Sequence, residues 1–266
     1  MASRVRAGLL WVFGRVNPGD ITIRHHWTGD PLHLHSFPHR GYWWHGRSRE
    51  HETIEMFSAL IQKGDIVWEV GAHIGYLTGI FGSLARHVTA FEPASGNLRY
   101  LNRNVPSNAR IIPATATTED TASVPLYVEN LTGQNCSLLP DYNVFKINAR
   151  NAGYSAGLGV ELVSGMSLDS YALKSCEMPD FVKIDVEGAE LEVLAGMKRI
   201  LADKRPWLMV EITDREEEVV ELLSLVGYKC TARFGPNTFW AKHREPKPGP
   251  NPWVPPESPL SSILKF

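Results

Sequence analysis

Ile66-Val67-Trp68-Glu69-Val70-Gly71-Ala72-His73-Ile74-Gly75 is the stretch on which the fold turns. Its first five residues are β-branched, aromatic and mostly apolar, too few for an ordinary helix and suited to a strand buried on both faces. Gly71 then lets the backbone turn tightly and approach a ligand. The helix predicted over residues 75–85 begins with unpaired N–H groups aimed back at the strand end. The glycine spacing is Gly-x-x-x-Gly, with the Glu69 carboxylate two residues ahead of it, and not the Gly-x-Gly-x-x-Gly of a dinucleotide fingerprint. An acid at that place repels a pyrophosphate and suits a ligand bearing an ammonium or sulfonium group. The competing reading is a plain strand–turn–helix with no ligand.

Outward from this unit the chain keeps alternating. Residues 52–62 have helical spacing of Ile54, Phe57, Leu60 and Ile61 before the strand. After it, strands are predicted over 88–92, 109–114, 181–186 and 207–212, and helices over 95–104, 189–201 and 216–225. Residues 227–232 and 238–242 read as a closing hairpin. Strand–helix alternation at these lengths predicts an α/β, doubly wound, mostly parallel sheet, with ligands held beyond the carboxyl ends of the strands. The chemistry is therefore expected just after Val70, Phe91, Val186 and Ile212.

Two further motifs lie at such ends. Phe91-Glu92-Pro93 places an acid 21 positions after Gly71, where a carboxylate can accept hydrogen bonds from ribose hydroxyls; the alternative is a solvated carboxylate. In Asp180-Phe181-Val182-Lys183-Ile184-Asp185-Val186-Glu187-Gly188-Ala189-Glu190, strand alternation puts Lys183 and Asp185 on one face. A lysine inside a buried strand must be paired or lose its proton. One reading is a structural ion pair, with Glu69 or Glu211 as partner. The other puts Asp185 and Glu187 at the cleft, moving a proton or orienting a substrate. The two are compatible.

Composition bounds the rest. The 266 residues are 43% apolar and 21% charged, enough for one large domain with extensions, and not a disordered or low-complexity chain. With 29 acidic against 27 basic residues, bulk charge gives no reason to expect nucleic acid or an anionic membrane as partner. Cys136, Cys176 and Cys230 form neither a disulfide framework nor a Cys-x-x-Cys site, which fits a reducing compartment. No run reaches the roughly 18 apolar residues of a membrane span, and the short run 7–14 lacks a cleavage site, so a cytoplasmic location is expected. Three zones follow: a His- and aromatic-rich cap over 1–50, the α/β body over 51–243, and a tail over 244–266 that reads Pro-x-Pro three times.

The body resembles S-adenosylmethionine-dependent methyltransferases of the FkbM type, of the class I Rossmann-like group. The resemblance rests on Glu69 to Tyr76, on Phe91-Glu92-Pro93 with Asn97, Leu101 and Asn104, on Leu168-Asp169, and on Lys183 to Glu190 with Leu194 and Gly196. It implies a seven-stranded sheet, S-adenosylmethionine as cofactor, and O-methylation of a hydroxyl on a sugar, glycolipid or polyketide-type metabolite. Carried over by position, Glu69, Gly71 and Gly75 hold the methionine part and Glu92, near Asn97, the ribose. Ala116 and Thr117 begin the loop beside adenine, and Asp185 and Glu187 line the acceptor side. Two positions depart from the pattern: Glu69 stands where Asp is expected, and His73 where Asn is common. His73 has three readings, a contact to the cofactor carboxylate, a group titrating near neutrality, or a space-filling variant.

Methyl transfer to an alcohol needs positioning and a proton acceptor. Glu187, Asp185 and Glu211 are the candidate catalytic residues, with a histidine of the cap in reserve. The same three carboxylates are also a candidate set for a divalent ion, and the sequence does not separate base from metal. N-methylation of a small amine or peptide, and a S-adenosylmethionine-binding partner module without turnover, are the alternatives. Seven of the ten histidines fall between His25 and His51, and His35 and His39 have His-x-x-x-His spacing. Pro38 argues against a helix there and no glutamate follows His35, so a lid or substrate wall is preferred to a metal site. Residues 121–165 read as a loop-rich insert around Gly133, Cys136 and Ser137, able to shape an acceptor pocket.

Overall fold

The computed structural model describes residues 19–129, 136–142, 145 and 158–241. Its main sheet contains β3 (Ile66–Val70), β4 (His87–Phe91), β5 (Ala109–Ile112), β10 (Phe181–Ile184), β11 (Trp207–Glu211), β12 (Lys229–Phe234) and β13 (Asn237–Ala241). Their spatial order is β5-β4-β3-β10-β11-β13-β12. All neighbours from β5 to β11 are parallel, and β13 runs antiparallel to both β11 and β12. The fold is thus the expected doubly wound, mostly parallel seven-stranded sheet with a closing hairpin. Its order departs from the 3-2-1-4-5-6 of a dinucleotide-binding sheet because the last strand slots in before the sixth. The chain turns outward in opposite directions from β3 and β10, so the crevice at their carboxyl ends is where a ligand belongs.

Alternation along the strands sorts side chains to two faces. Trp68, Val70, Val182, Ile184, Leu208 and Val210 meet α5 (Leu168–Ser175), α6 (Glu190–Ala195) and α7 (Glu216–Leu225) on one face. Val67, Val88, Phe181, Met209 and Phe239 meet α2 (His51–Leu60) and α3 (Tyr76–Leu84) on the other, with Tyr100 of α4 (Ser95–Asn104) beside them. Phe57 is wholly buried, its ring 4.9 Å from that of Phe81 and 5.7 Å from those of Phe181 and Phe239. One aromatic thus knits two helices to two strands; burial of this kind is worth about 3–5 kcal/mol against alanine. Asp180 ties the strand starts together, its carboxylate accepting from the Ile66 N–H at 3.1 Å and pairing with Lys204 at 2.8 Å.

The first described residues form a hairpin, β1 (Asp20–Arg24) with β2 (Pro31–His35), followed by α1 (Arg40–His45). Leu32, Leu34 and Tyr42 share the same apolar cluster as Phe57 and Phe81. Asn104 clamps the hairpin to the glycine turn, accepting from His33 N–H at 2.7 Å and donating to the carbonyls of His33 and Ile74.

Three local expectations need correction. The insert is not loop-rich in its described part: β7 (Thr121–Glu129) and β9 (Leu158–Met166) pair antiparallel, flanked by the short β6 (Thr115–Ala116) and β8 (Cys136–Ser137). Its alternation misleads because Leu158, Val160 and Leu162 face outward, Leu162 at 75% exposure. The strand expected over 109–114 ends at Ile112, since the chain leaves the main sheet for β6. The helix expected over 189–201 is interrupted by a turn at Gly196-Met197 and resumes over 198–204. A Cβ on Gly196 would lie 2.1 Å from the Thr117 carbonyl oxygen, so the insert packs against the chain at that interruption. Gly133 and the proline-rich stretch lie outside the described residues.

Candidate active site

The glycine turn is shaped by close approach. Gly71 has φ +83°, and a Cβ there would sit 1.8 Å from the backbone oxygen of Asp185, so no other residue lets the ends of β3 and β10 come together. Beyond these ends opens a cleft of about 1030 Å³, lined by Glu69, Gly71, His73, Glu92, Asn97, Ala116, Asp185 and Glu187 among the residues expected from sequence. Gly75, Thr117 and Glu211 do not line it. Gly75, at φ +87°, is packed against Leu101, and Thr117 turns its hydroxyl to the Glu119 carbonyl.

Glu69 is buried, and its carboxylate accepts from Thr78 Oγ1 at 2.5 Å. Burial, only partly countered by Lys183 and Thr78, pushes its pKa up to about 7. Glu92 is also buried and already accepts three hydrogen bonds, from the backbone N–H of His73 (2.8 Å) and of Ala94 (2.9 Å) and from Asn97 Nδ2 (3.1 Å). Burial raises its pKa to about 7 in spite of these donors. A carboxylate offers about four acceptor positions, so one remains open for a ligand hydroxyl, not two.

Lys183 gives its ammonium to the Gly71 carbonyl at 2.7 Å and to Asp185 at 3.0 Å. Burial works against its charge, but Asp185 and Glu69 outweigh it and its pKa ends raised. The structural ion pair expected with Glu69 or Glu211 is therefore made with Asp185, because β10 turns its own next same-face residue onto the ammonium. Continuing the Ile184–Val210 register by one residue sets Asp185 beside Glu211. That negative neighbour, then burial, holds the Glu211 carboxyl well up, at about 9. Glu187 lines the cleft with φ +53°; burial and then Asp185 push its pKa to about 7, and a hydrogen bond from Tyr142 to its Oε2 pulls the other way.

His73 resolves differently from one expectation. Its ring accepts or donates through Nδ1 to the Tyr42 hydroxyl at 2.9 Å, and burial first, then His39 and Arg49, depresses its pKa well below the usual range. It does not titrate near neutrality. Its Nε2 is enclosed at the cleft wall without a hydrogen-bond partner among the described residues. Glu50, His73 and Glu187, half of the described non-glycine residues with left-handed φ, all line this one cleft. Strain concentrated in this way accompanies functional sites.

The histidines of the first zone serve turns. The His35 N–H donates to His39 Nδ1 at 2.9 Å, which accounts for their spacing, and Trp27 and Thr28 donate N–H groups to His25 Nδ1. Among the described residues no three His, Cys, Asp or Glu side chains are arranged to hold a metal ion. Sequence reasoning missed Arg49, Glu50 and Tyr142. Tyr42 and Arg49 bring the N-terminal segment into the cleft, the Arg49 guanidinium lying 4.6 Å over the Tyr42 ring. Only the run of aromatics around Tyr42 signalled any of this.

Comparison with known proteins completes the description. Residues 69–234 match the model of the methyltransferase FkbM domain. The chain belongs to the FkbM methyltransferase family. The match spans the glycine turn, both carboxylate motifs and the sheet through β12, so family and cleft coincide. A hexuronic acid methyltransferase, AglP of Haloferax volcanii, is 28% identical over 166 residues, covering 61% of this chain and 62% of that one. The chain thus spans about three fifths of the length of that relative. Among solved structures, an FkbM methyltransferase from Methylobacillus flagellatus is 18% identical with a TM-score of 0.46, covering 70% of this chain and 47% of its own. An rRNA methylase from Streptococcus thermophilus is 12% identical with a TM-score of 0.40, covering 73% and 96%. Neither likeness is close enough to speak of the acceptor. Among the described residues no helix is long and apolar enough to cross a membrane.

Proposed function

We propose that this FkbM-family chain transfers a methyl group from S-adenosylmethionine to a hydroxyl of a sugar or sugar-bearing metabolite. The observation that carries the reading is Glu187. It is a cleft carboxyl whose pKa is raised to about 7, with Oε2 held by Tyr142 and Oε1 without a hydrogen bond among the described residues. A carboxylate poised near neutrality matches the proton acceptor an alcohol needs. The name of the Haloferax relative supports a sugar acceptor for this cleft as well.

The cleft fits the cofactor. It is lined by the carboxylates of Glu50, Glu69, Glu92, Asp185 and Glu187 against only two cations, Arg49 and Lys183, an excess that favours a cationic ligand and disfavours a polyphosphate such as nucleic acid. Glu69 and the Gly71 turn would face the methionine end and its ammonium. The unpartnered His73 Nε2 is available to its carboxylate, the last acceptor position of Glu92 to a ribose hydroxyl, and Ala116 to the adenine side. Bound there, S-adenosylmethionine supplies an electrophilic methyl carbon on a sulfonium. Glu187 would take the hydroxyl proton of the acceptor as its oxygen gains the methyl group. Asp185, neutralised by Lys183, orients the acceptor without competing for that proton. Glu211, outside the cleft lining and with its carboxyl held up at about 9, stays protonated beside Asp185 near neutrality. The free thiols of Cys136, Cys176 and Cys230 support a cytoplasmic setting.

Calorimetry of S-adenosylmethionine and S-adenosylhomocysteine with the native chain and with Glu92→Ala tests the cofactor half. Loss of Glu92 should weaken binding by about 1.5–3 kcal/mol, roughly 10- to 100-fold. Absence of binding by folded native chain would overturn the reading. Tritiated methyl transfer to a panel of neutral and uronic glycosides tests the acceptor half.

A further inference from the structure

Tyr142 comes from the insert yet is buried to 2% exposure behind the β10–α6 turn. Its ring closes on Gly188, where an added Cβ would meet Tyr142 Cδ2 at 3.0 Å, and stands edge-on to Phe145 at 5.5 Å. Ser137 from the same segment donates to the Glu187 carbonyl at 2.6 Å and accepts from the Leu139 N–H at 3.0 Å. The segment is therefore strapped across Glu187–Gly188 by two contacts, the Tyr142 ring on Gly188 and the Ser137 hydroxyl on the Glu187 carbonyl. The Tyr142 hydroxyl lies 2.5 Å from Glu187 Oε2 and 3.0 Å from Thr213 Oγ1, and Thr213 is exposed.

A phenol has one proton to give, so these two contacts cannot both be donations at once. With Glu187 ionised, Tyr142 donates to the carboxylate and Thr213 donates to the phenol oxygen. With Glu187 protonated on Oε2, the carboxyl donates to the phenol oxygen and Tyr142 donates to Thr213. Both arrangements leave every hydroxyl satisfied, with Thr213 turning its remaining capacity to water. A proton collected on Oε1 reaches Oε2 by a half-turn of the carboxyl about its terminal torsion, which is two-fold. Apart from the turning hydroxyl protons of Tyr142 and Thr213 no other atom need move, and no oxidant or co-reactant is involved.

Resting on the reading of Glu187 as proton acceptor, we propose that Tyr142 is its positioning residue and that the Tyr142–Thr213 hydroxyl pair reverses its hydrogen bonds as Glu187 gains and loses a proton. The pair holds one carboxylate oxygen so that the other faces the cleft, and it stabilises either charge state of a group that would otherwise be stranded. The other charged groups around Glu187 are Asp185, Glu190 and Lys183, with Glu211 behind Asp185 and with Arg49 and Glu50 on the same cleft. None of them hydrogen-bonds the Glu187 carboxylate among the described residues, so the hydroxyl pair is the local control.

The test is a carboxyl titration by NMR of the full chain with δ-13C glutamate, the Glu187 resonance assigned by its loss in Glu187→Gln. Tyr142→Phe keeps the ring packing and removes the hydroxyl; the Glu187 midpoint should rise by about one pH unit, making it a tenfold weaker acid. Thr213→Val, at an exposed position, should give a smaller rise in the same direction. Unmoved midpoints in both variants would overturn the proposal. Should Tyr142→Phe fail to fold, as judged by its melting curve, Thr213→Val decides alone. S-adenosylhomocysteine binding, measured in parallel, reports separately on the cofactor reading: its absence in native chain would sink that reading while the titration still judged the hydroxyl pair.

Discussion

The two sides of the cleft are built in opposite ways. On the side proposed for the donor Glu69, His73 and Glu92 come from adjoining strand ends within one short run of chain, and the partners of the two carboxylates, Thr78, His73, Ala94 and Asn97, are local too. On the side proposed for the acceptor Glu187 takes its partner from Tyr142, 45 positions away, which itself bonds Thr213 across 71 positions, and shares the cleft with Arg49 and Glu50 of the N-terminal segment. A ligand that never changes can be met by a compact motif. A ligand that differs from protein to protein is met by residues gathered from parts of the chain free to vary.

This contrast can be broken or sharpened by substitution. Glu187→Gln should lower kcat by about 10²–10⁴ while S-adenosylmethionine affinity stays within twofold, as read by tritium transfer and calorimetry together; a matching loss of affinity would mean the two sides are not separable. Gly71→Ala drives a methyl into the Asp185 backbone and should destabilise by roughly 3 kcal/mol or more, seen as a lowered Tm and loss of both ligands' binding. A cationic ligand favours the ionised form of Glu69, whose carboxyl is raised to about 7 in the free protein. S-adenosylmethionine affinity should therefore strengthen up to about tenfold between pH 6 and 8, and Glu69→Gln should flatten that slope. The same raised pKa means the free fold binds an extra proton. Its contribution to stability is present below the unfolded value and lost as pH rises through about 7, so Glu69→Gln should raise the Tm at pH 8 and leave it unchanged near pH 4. The smallest effect belongs to Thr117→Val: with its hydroxyl turned to Glu119, affinity should change less than twofold.

The sequence made the sheet legible because its strands follow period-two burial and its helices α4 and α7 carry unbroken periodicity; both were expected at their observed bounds. It was least legible where tertiary contact overrules local pattern. The turn after α6 exists because Thr117 sits against Gly196, and α5 went unread because its apolar face is short and its Ser167 N-cap, accepting from Ser170 N–H, lacks the glutamate of a capping box. The donor-side acids showed themselves by spacing from Gly71. Tyr142 gave no such sign: a tyrosine in an irregular segment looks the same whether it packs or positions. Lys183 announced that it needed a partner, and geometry chose Asp185.

The insert leaves the fold at Ala116 and returns at Met166, and these residues are bonded neighbours in β6 and β9, with the Thr117 N–H donating to the Met166 carbonyl at 3.0 Å. Closing that junction costs nearly the same whatever hangs from it, since loop entropy grows only as the logarithm of length. Everything between, Tyr142 included, is thus an exchangeable cassette. Transplanting it between family members should carry acceptor preference along with the tuning of Glu187, and leave Glu69, His73 and Glu92 of the host in place.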